Sequence, residues 1–160
     1  MNDSSKYPIV LSRFPVALFL EARRHNEALV REFTFIIEAE AVPTDVPVRL
    51  LTLARQLRER FYGLNATLET QVDAAVAHGD EAIELQVRVA AFGREGALTL
   101  GALFDEADAF CRNGDLLTLA ETDDVHDFRT WYVEEVVRQL DGGPPIPWPD
   151  WRAQRATTRS

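Results

Sequence analysis

Apolar residues recur at helical spacing in five stretches of the chain, and most of these stretches are bounded by residues suited to helix termini. Pro15 stands at the start of the first stretch, and Gly63, Gly79, Gly114 and Gly142 follow four of the five. The pattern predicts five helices, over residues 15–38, 44–63, 65–78, 94–112 and 122–140.

One segment departs from the helical period. Over residues 82–89, apolar and polar side chains alternate, which is the pattern of a half-buried strand. A strand needs a hydrogen-bonded neighbour, and the extended segment over residues 9–14 is the best candidate. Either the two segments pair, or residues 82–89 form an extended link on the surface of a helical body. We expect a mainly α single compact domain over residues 1–143, with about five helices and one short strand pair.

The remaining residues, 144–160, are rich in proline as far as Trp151 and then basic and polar. Proline at this density favours an extended conformation, so the pattern predicts a partly disordered tail. Trp148 and Trp151 are costly to leave in water. We therefore expect them to dock, either on the body of the same chain or on a partner.

Composition narrows the range of functions. The chain has 160 residues, of which 46% are hydrophobic, and this suits one compact core. A formal charge of −9 repels phosphate backbones and anionic lipid, and no apolar run approaches the roughly 20 residues of a membrane span. Nucleic acid and membranes are therefore not expected as partners. Because Cys111 is the only cysteine, no internal disulfide can form, and a cytoplasmic location is expected.

Two acidic clusters could carry chemistry. Residues 122–127 supply three carboxylates and the imidazole of His126, but they stand where a helix N-terminus needs caps, and capping is the favoured interpretation. Asp105 and Asp108 share a helix face and could act as an acid and a base, but a solvated face with Asp108 paired to Arg112 is favoured. Phosphate-binding loops and nucleophile elbows are missing from the sequence. We expect no catalytic residue, no metal site and no cofactor.

His25 and Asn26 interrupt the apolar stripe of the first predicted helix. Polar groups on such a stripe are more often satisfied core or rim groups than ligands. They also support a hypothesis of a small-ligand sensor, which predicts a sizeable cavity under the first helix.

Candidate partner-binding residues come from three features of the chain. These are the basic face of the second predicted helix, the positions that fall off the core stripe of the fifth, and the tryptophans of the tail. The residues are Arg55, Arg58, Arg129, Trp131, Trp148 and Trp151.

The amino-acid sequence of four segments is similar to that of a family of small helical proteins from high-GC Gram-positive bacteria. The segments are residues 14–19, 31–33, 103–120 and 128–140. Members of this family tend to be encoded beside serine-kinase anti-sigma factors, their phosphatases and STAS-domain antagonists. The resemblance implies a role near a sigma-factor partner-switching circuit. Because the chain lacks the Asp-x-Gly-x-Gly motif of the kinase and a phosphoacceptor serine, that role would be accessory.

We therefore interpret the chain as a non-catalytic cytosolic interaction or regulatory protein, with a kinase or STAS-type protein partner implied by the resemblance. The sequence leaves a homodimer open. The alternatives are a small-ligand sensor and an enzyme that uses Asp105, Asp108 or His126.

Overall fold

The computed structural model describes residues 6–39, 49, 52–53, 55–56, 66–90 and 93–159. Within these ranges the chain forms five helices and one two-stranded sheet, so the expected mainly α class with a short strand pair is confirmed. The elements are β1 (Lys6–Pro15), α1 (Val16–Glu38), α2 (Ala66–His78), β2 (Ala82–Ala90), α3 (Gly93–Arg112), α4 (Asp123–Leu140) and α5 (Trp148–Thr158).

Most of the helix predicted over residues 44–63 lies outside the described residues. The five positions that are described there are all helical, and among them Leu53 is fully buried. It belongs to a hydrophobic cluster with Leu29, Phe33, Leu103 and Phe104. None of the described helices is both long and apolar enough to cross a membrane.

The predicted strand pairing is confirmed. β1 and β2 are antiparallel, with Lys6 opposite Ala90 at one end and Pro15 opposite Ala82 at the other. The register shifts between Leu11 and Phe14, where Arg13 has a φ of 55°. Glu84 Oε1 accepts hydrogen bonds from Ser12 Oγ (2.8 Å) and the Arg13 backbone N–H (3.0 Å) at this irregularity.

A side chain of α4 covers the free edge of β1. Gln139 Nε2 donates to the carbonyl of Val10 (2.8 Å), and the backbone N–H of Val10 donates to Gln139 Oε1 (2.9 Å). Toward the strand, the side-chain amide presents one N–H donor and one C=O acceptor, as a peptide group does, so Gln139 substitutes locally for a third strand. This contact fixes the sheet on α4.

The aromatic core joins β1, α4 and the C-terminal segment. The ring of Trp131 packs at a centroid distance of 6.3 Å from Phe14 and 5.6 Å from Trp148, and Trp148 stacks on Trp151 at 5.7 Å. Trp131 Nε1 donates to the carbonyl of Ile146 at 2.9 Å, which satisfies the one polar group of this indole.

Two expectations differ from this arrangement. Residues 148–158 are helical instead of extended, because Trp148 and Trp151 lie three positions apart and a helix places both indoles on one buried face. Trp131 was expected off the core stripe of its helix and is 0% exposed. The docked tail covers a second side of α4, which widens the buried face of that helix beyond a single stripe.

We predict that Trp148→Ala lowers the free energy of unfolding by about 3–5 kcal/mol, since it removes a buried ring that contacts Phe128, Trp131 and Trp151. Chemical denaturation followed by circular dichroism measures the change. Gln154→Ala, on the exposed side of the same helix, is the matched control and should leave stability within about 0.5 kcal/mol of the wild type. Equal stability of the two variants would show that the tail is not part of the core.

Candidate functional site

A cavity of about 400 Å³ lies among α1, α2, α3 and α4, beside the end of β2. Its volume is within the range of small-molecule sites, and most of its lining is apolar. Apolar side chains from all four helices form the wall, among them Phe19, Ala22, Leu68, Leu100, Phe128 and Val136. Part of the wall belongs to the aromatic core and part to the cluster around Phe104.

The wall formed by α3 is unusual because it carries few side chains. Gly93, Gly96, Ala97 and Gly101 line the cavity from successive turns of this helix. A Cβ added at Gly93 would collide with Val89, and one at Gly101 would lie 3.3 Å from Val133. At Gly96 an added Cβ would meet no atom of the described residues within 4 Å, so the helix faces space that these residues leave open. Each glycine costs a helix about 1 kcal/mol relative to alanine.

Two uncharged polar side chains also line the cavity. Tyr132 is partly buried, and desolvation raises the pKa of its phenol to about 12. Asn26 faces the same cavity from α1. Within the described part of the chain, neither the Tyr132 hydroxyl nor the Asn26 amide has a hydrogen-bond partner. The cavity therefore offers hydrogen-bonding groups that the described residues leave without a partner.

A charged cluster adjoins the cavity, since two of its members, Glu121 and Arg129, belong to the cavity wall. Arg129 Nη1 donates to Glu121 Oε2 at 2.6 Å, and Nη2 donates to Asp105. His126 Nδ1 lies 3.0 Å from Glu121 Oε1. The Glu121 side chain is only 2% exposed, so its charge depends on these partners.

Ligand atoms of Asp105, Glu121 and His126 lie within 4.8 Å of one another, as a metal site would require. However, Arg129 Nη2 bonds to Asp105 and approaches His126 Nδ1 to 3.2 Å. A guanidinium therefore stands among the ligand atoms and already compensates the carboxylates. The arrangement is an ion-paired wall, and a cation would have to displace Arg129 to bind.

The structure also decides between the interpretations of the acidic residues. The hydroxyl of Thr122 accepts from the Val125 N–H at 3.2 Å, so the capping role of this segment is confirmed. The predicted pair of Asp108 and Arg112 is present at 3.5 Å. The expectation of a solvated face is wrong for Asp108, which is 6% exposed because its Oδ1 accepts from the backbone N–H of Glu121 at 2.8 Å.

Most of the candidate partner-binding residues are engaged within the chain. Trp131, Trp148 and Trp151 are buried, and the Arg129 side chain is 14% exposed and ion-paired. Arg55 is exposed, and Arg58 lies outside the described residues.

Of the residues proposed for an enzyme, Asp105 and His126 come together, with 3.7 Å between Oδ1 and Nδ1. The lone thiol is a poor nucleophile, because burial raises the pKa of Cys111 to about 11.

The sequence hypotheses missed Glu121 and the glycine face of α3. The spacing of Gly93, Gly96 and Gly101 in an otherwise amphipathic helix was the signal that could have found it.

Comparison of the chain with protein-family models, with curated proteins and with solved structures found no match.

The pKa of His25 is lowered by burial, although Glu121 and Asp108 partly oppose the shift. The unfolded chain therefore takes up a proton on this residue at a higher pH than the folded chain does. We predict that the protein loses stability as the pH falls below about 6.5, and that His25→Gln reduces this loss. Melting temperatures measured across this pH range test the prediction, with the exposed His78→Gln as control. An identical acid slope in His25→Gln and wild type would contradict it.

Proposed function

We propose that this protein binds a small, largely apolar organic molecule in the cavity among α1, α2, α3 and α4 and acts as a ligand sensor, without transforming the ligand. The observation that carries the proposal is the space that the described residues leave open beside Gly96, in a cavity of about 400 Å³ that Tyr132 also lines. Folding alone gives no reason to keep such a space.

Stability would favour filling the cavity. An alanine at position 96 would meet no steric obstacle among the described residues and would improve helix propensity, and a larger apolar side chain would gain contacts with other residues of the cavity wall. A glycine there sacrifices both contributions. Space retained in this way is characteristic of binding sites, in which the ligand supplies the missing contacts.

Binding is favoured over catalysis by the chemistry of the wall. The two charged side chains that line the cavity from the 121–129 region, Glu121 and Arg129, are held in an ion pair with each other. While the pair is intact, the Glu121 oxygens are occupied by Arg129 and His126, and the Arg129 guanidinium is occupied by Glu121 and Asp105. The uncharged side chains of Tyr132 and Asn26 are suited to orienting a ligand through hydrogen bonds and not to catalysing its reaction.

We predict that Gly96→Phe weakens binding of the uncharged fluorescent probe N-phenyl-1-naphthylamine by about tenfold or more, because the new ring occupies the cavity. Fluorescence titration measures the affinity, and thermal denaturation verifies that the variant is folded. Gly96→Ala is the matched control, since one methyl group leaves most of the volume free. Wild-type affinity in Gly96→Phe would show that the probe binds elsewhere and would remove the main support for this function.

A regulatory contact with another protein is a second candidate function. Leu117 and Leu119 are 93% and 83% exposed in the segment between α3 and α4. The carboxylate of Glu32 on α1 accepts hydrogen bonds from the backbone N–H groups of Leu117 and Thr118, both at 2.7 Å. These bonds fix the segment that carries the two leucines. An ordered segment with exposed leucines favours a protein contact. The family resemblance suggests a kinase or STAS-type partner.

If this second function is correct, Leu117→Ser combined with Leu119→Ser should weaken binding to a serine-kinase anti-sigma factor or a STAS-domain antagonist of the same organism by about tenfold. Titration with the purified proteins measures the affinity. Leu98→Ser, at a leucine of α3 that is 42% exposed, is the control and should bind as the wild type does. The absence of binding to both partner classes by the wild type would rule out this candidate.

A further inference from the structure

The polar groups of the cavity differ in what they offer a ligand. Glu121 and Arg129 neutralise each other, and the Glu121 oxygens are occupied by Arg129 and His126. Tyr132 and Asn26 are uncharged and have no hydrogen-bond partner within the described part of the chain. Apart from Arg23 and Glu69, the hydrogen-bonding capacity that the described lining residues leave free is therefore neutral.

We infer that the cavity selects an uncharged ligand whose apolar body carries one hydrogen-bonding oxygen, of the alcohol, ketone or amide class, and that it discriminates against carboxylates and amines of the same shape. This inference rests on the proposed ligand-binding function and adds the class of ligand.

Burial gives the first reason for this selectivity. The desolvation that raises the pKa of Tyr132 to about 12 shows that a negative charge at this position is unfavourable. A ligand carboxylate in the same surroundings would meet the same penalty. A ligand hydroxyl or carbonyl would instead bond to the Tyr132 hydroxyl, which forms no hydrogen bond within the described part of the chain.

The pairing of Arg129 gives the second reason. Arg129 lines the cavity, but its guanidinium bonds to both Glu121 and Asp105. A ligand anion would have to break one of these pairs and leave a carboxylate uncompensated, which is more costly than leaving the ion pair intact. A ligand ammonium group would find no free carboxylate at Glu121, because the Glu121 oxygens are already paired with Arg129 and His126.

Arg23 is the strongest rival to this inference. It lines the cavity from α1, lies over the ring of Phe19 at 5.9 Å, and is only 3.9 Å from Asp73, which is mostly exposed. A ligand carboxylate could pair with Arg23 at the rim. However, Glu69 also lines the cavity and is exposed, so the rim carries charges of both signs. The rim therefore provides no net attraction for an acid.

Four probes that share a phenylbutyl skeleton distinguish apolar, neutral polar, anionic and cationic ligands. They are butylbenzene, 4-phenylbutan-1-ol, 4-phenylbutanoate and 4-phenylbutan-1-amine. Their affinities are measured by displacement of N-phenyl-1-naphthylamine from the full chain. We expect the alcohol to bind tightest and the two ions weakest. Tyr132→Phe should lower the affinity for the alcohol by roughly threefold to tenfold and leave the affinity for butylbenzene unchanged. Tyr7→Phe, at an exposed tyrosine of β1, is the control and should alter neither affinity.

Three results would overturn the inference. Tighter binding of 4-phenylbutanoate than of the alcohol, abolished by Arg23→Gln, would show that the site recognises an anion at its rim. An unchanged ratio of alcohol to hydrocarbon affinity in Tyr132→Phe would show that the hydroxyl does not contact the ligand. Failure of all four probes, including butylbenzene, would instead reject the ligand-binding function on which the inference rests.

Discussion

The packing of Trp131 is the interaction on which the rest of the fold depends. Its ring contacts Phe14 of β1 and Trp148 of α5. Its N–H donates a hydrogen bond to the carbonyl of Ile146, in the segment that leads into α5. One side chain of α4 thus fixes both the sheet and the C-terminal helix. Because a buried tryptophan can contribute several kcal/mol, we expect the elements that contact Trp131 to unfold together.

The cavity lies beside this rigid unit and shares α4 with it. Phe128 belongs to the aromatic core and also lines the cavity, so the site has one wall that the core holds in place. Another wall is the glycine-rich side of α3, where backbone replaces several side chains. A wall that the core holds in place is a suitable geometry for binding without large rearrangement. Filling the space would stabilise the protein through contacts that the ligand-free chain lacks, and ligand binding would therefore change its stability.

Local signals in the sequence predicted the fold better than the site. The alternation of residues 82–89 predicted the strand, and Thr122 predicted the start of α4. α5 was missed because proline density was weighed above the spacing of Trp148 and Trp151. The sensor hypothesis placed a cavity under the first helix near His25 and Asn26; the cavity is present and Asn26 is in its wall, but His25 is not among the described lining residues. The ion cluster around Glu121 could not be predicted, because it depends on how α3 and α4 pack, and sequence spacing does not specify that.

The central claim is that the space beside Gly96 is an apolar binding site. A crystal structure determined under xenon pressure tests it most directly, since xenon enters apolar cavities without needing specific contacts. Our account predicts xenon among Gly96, Leu100 and Phe128, with the surrounding helices unmoved. Side chains of the wall filling that space, with no xenon bound there, would contradict it.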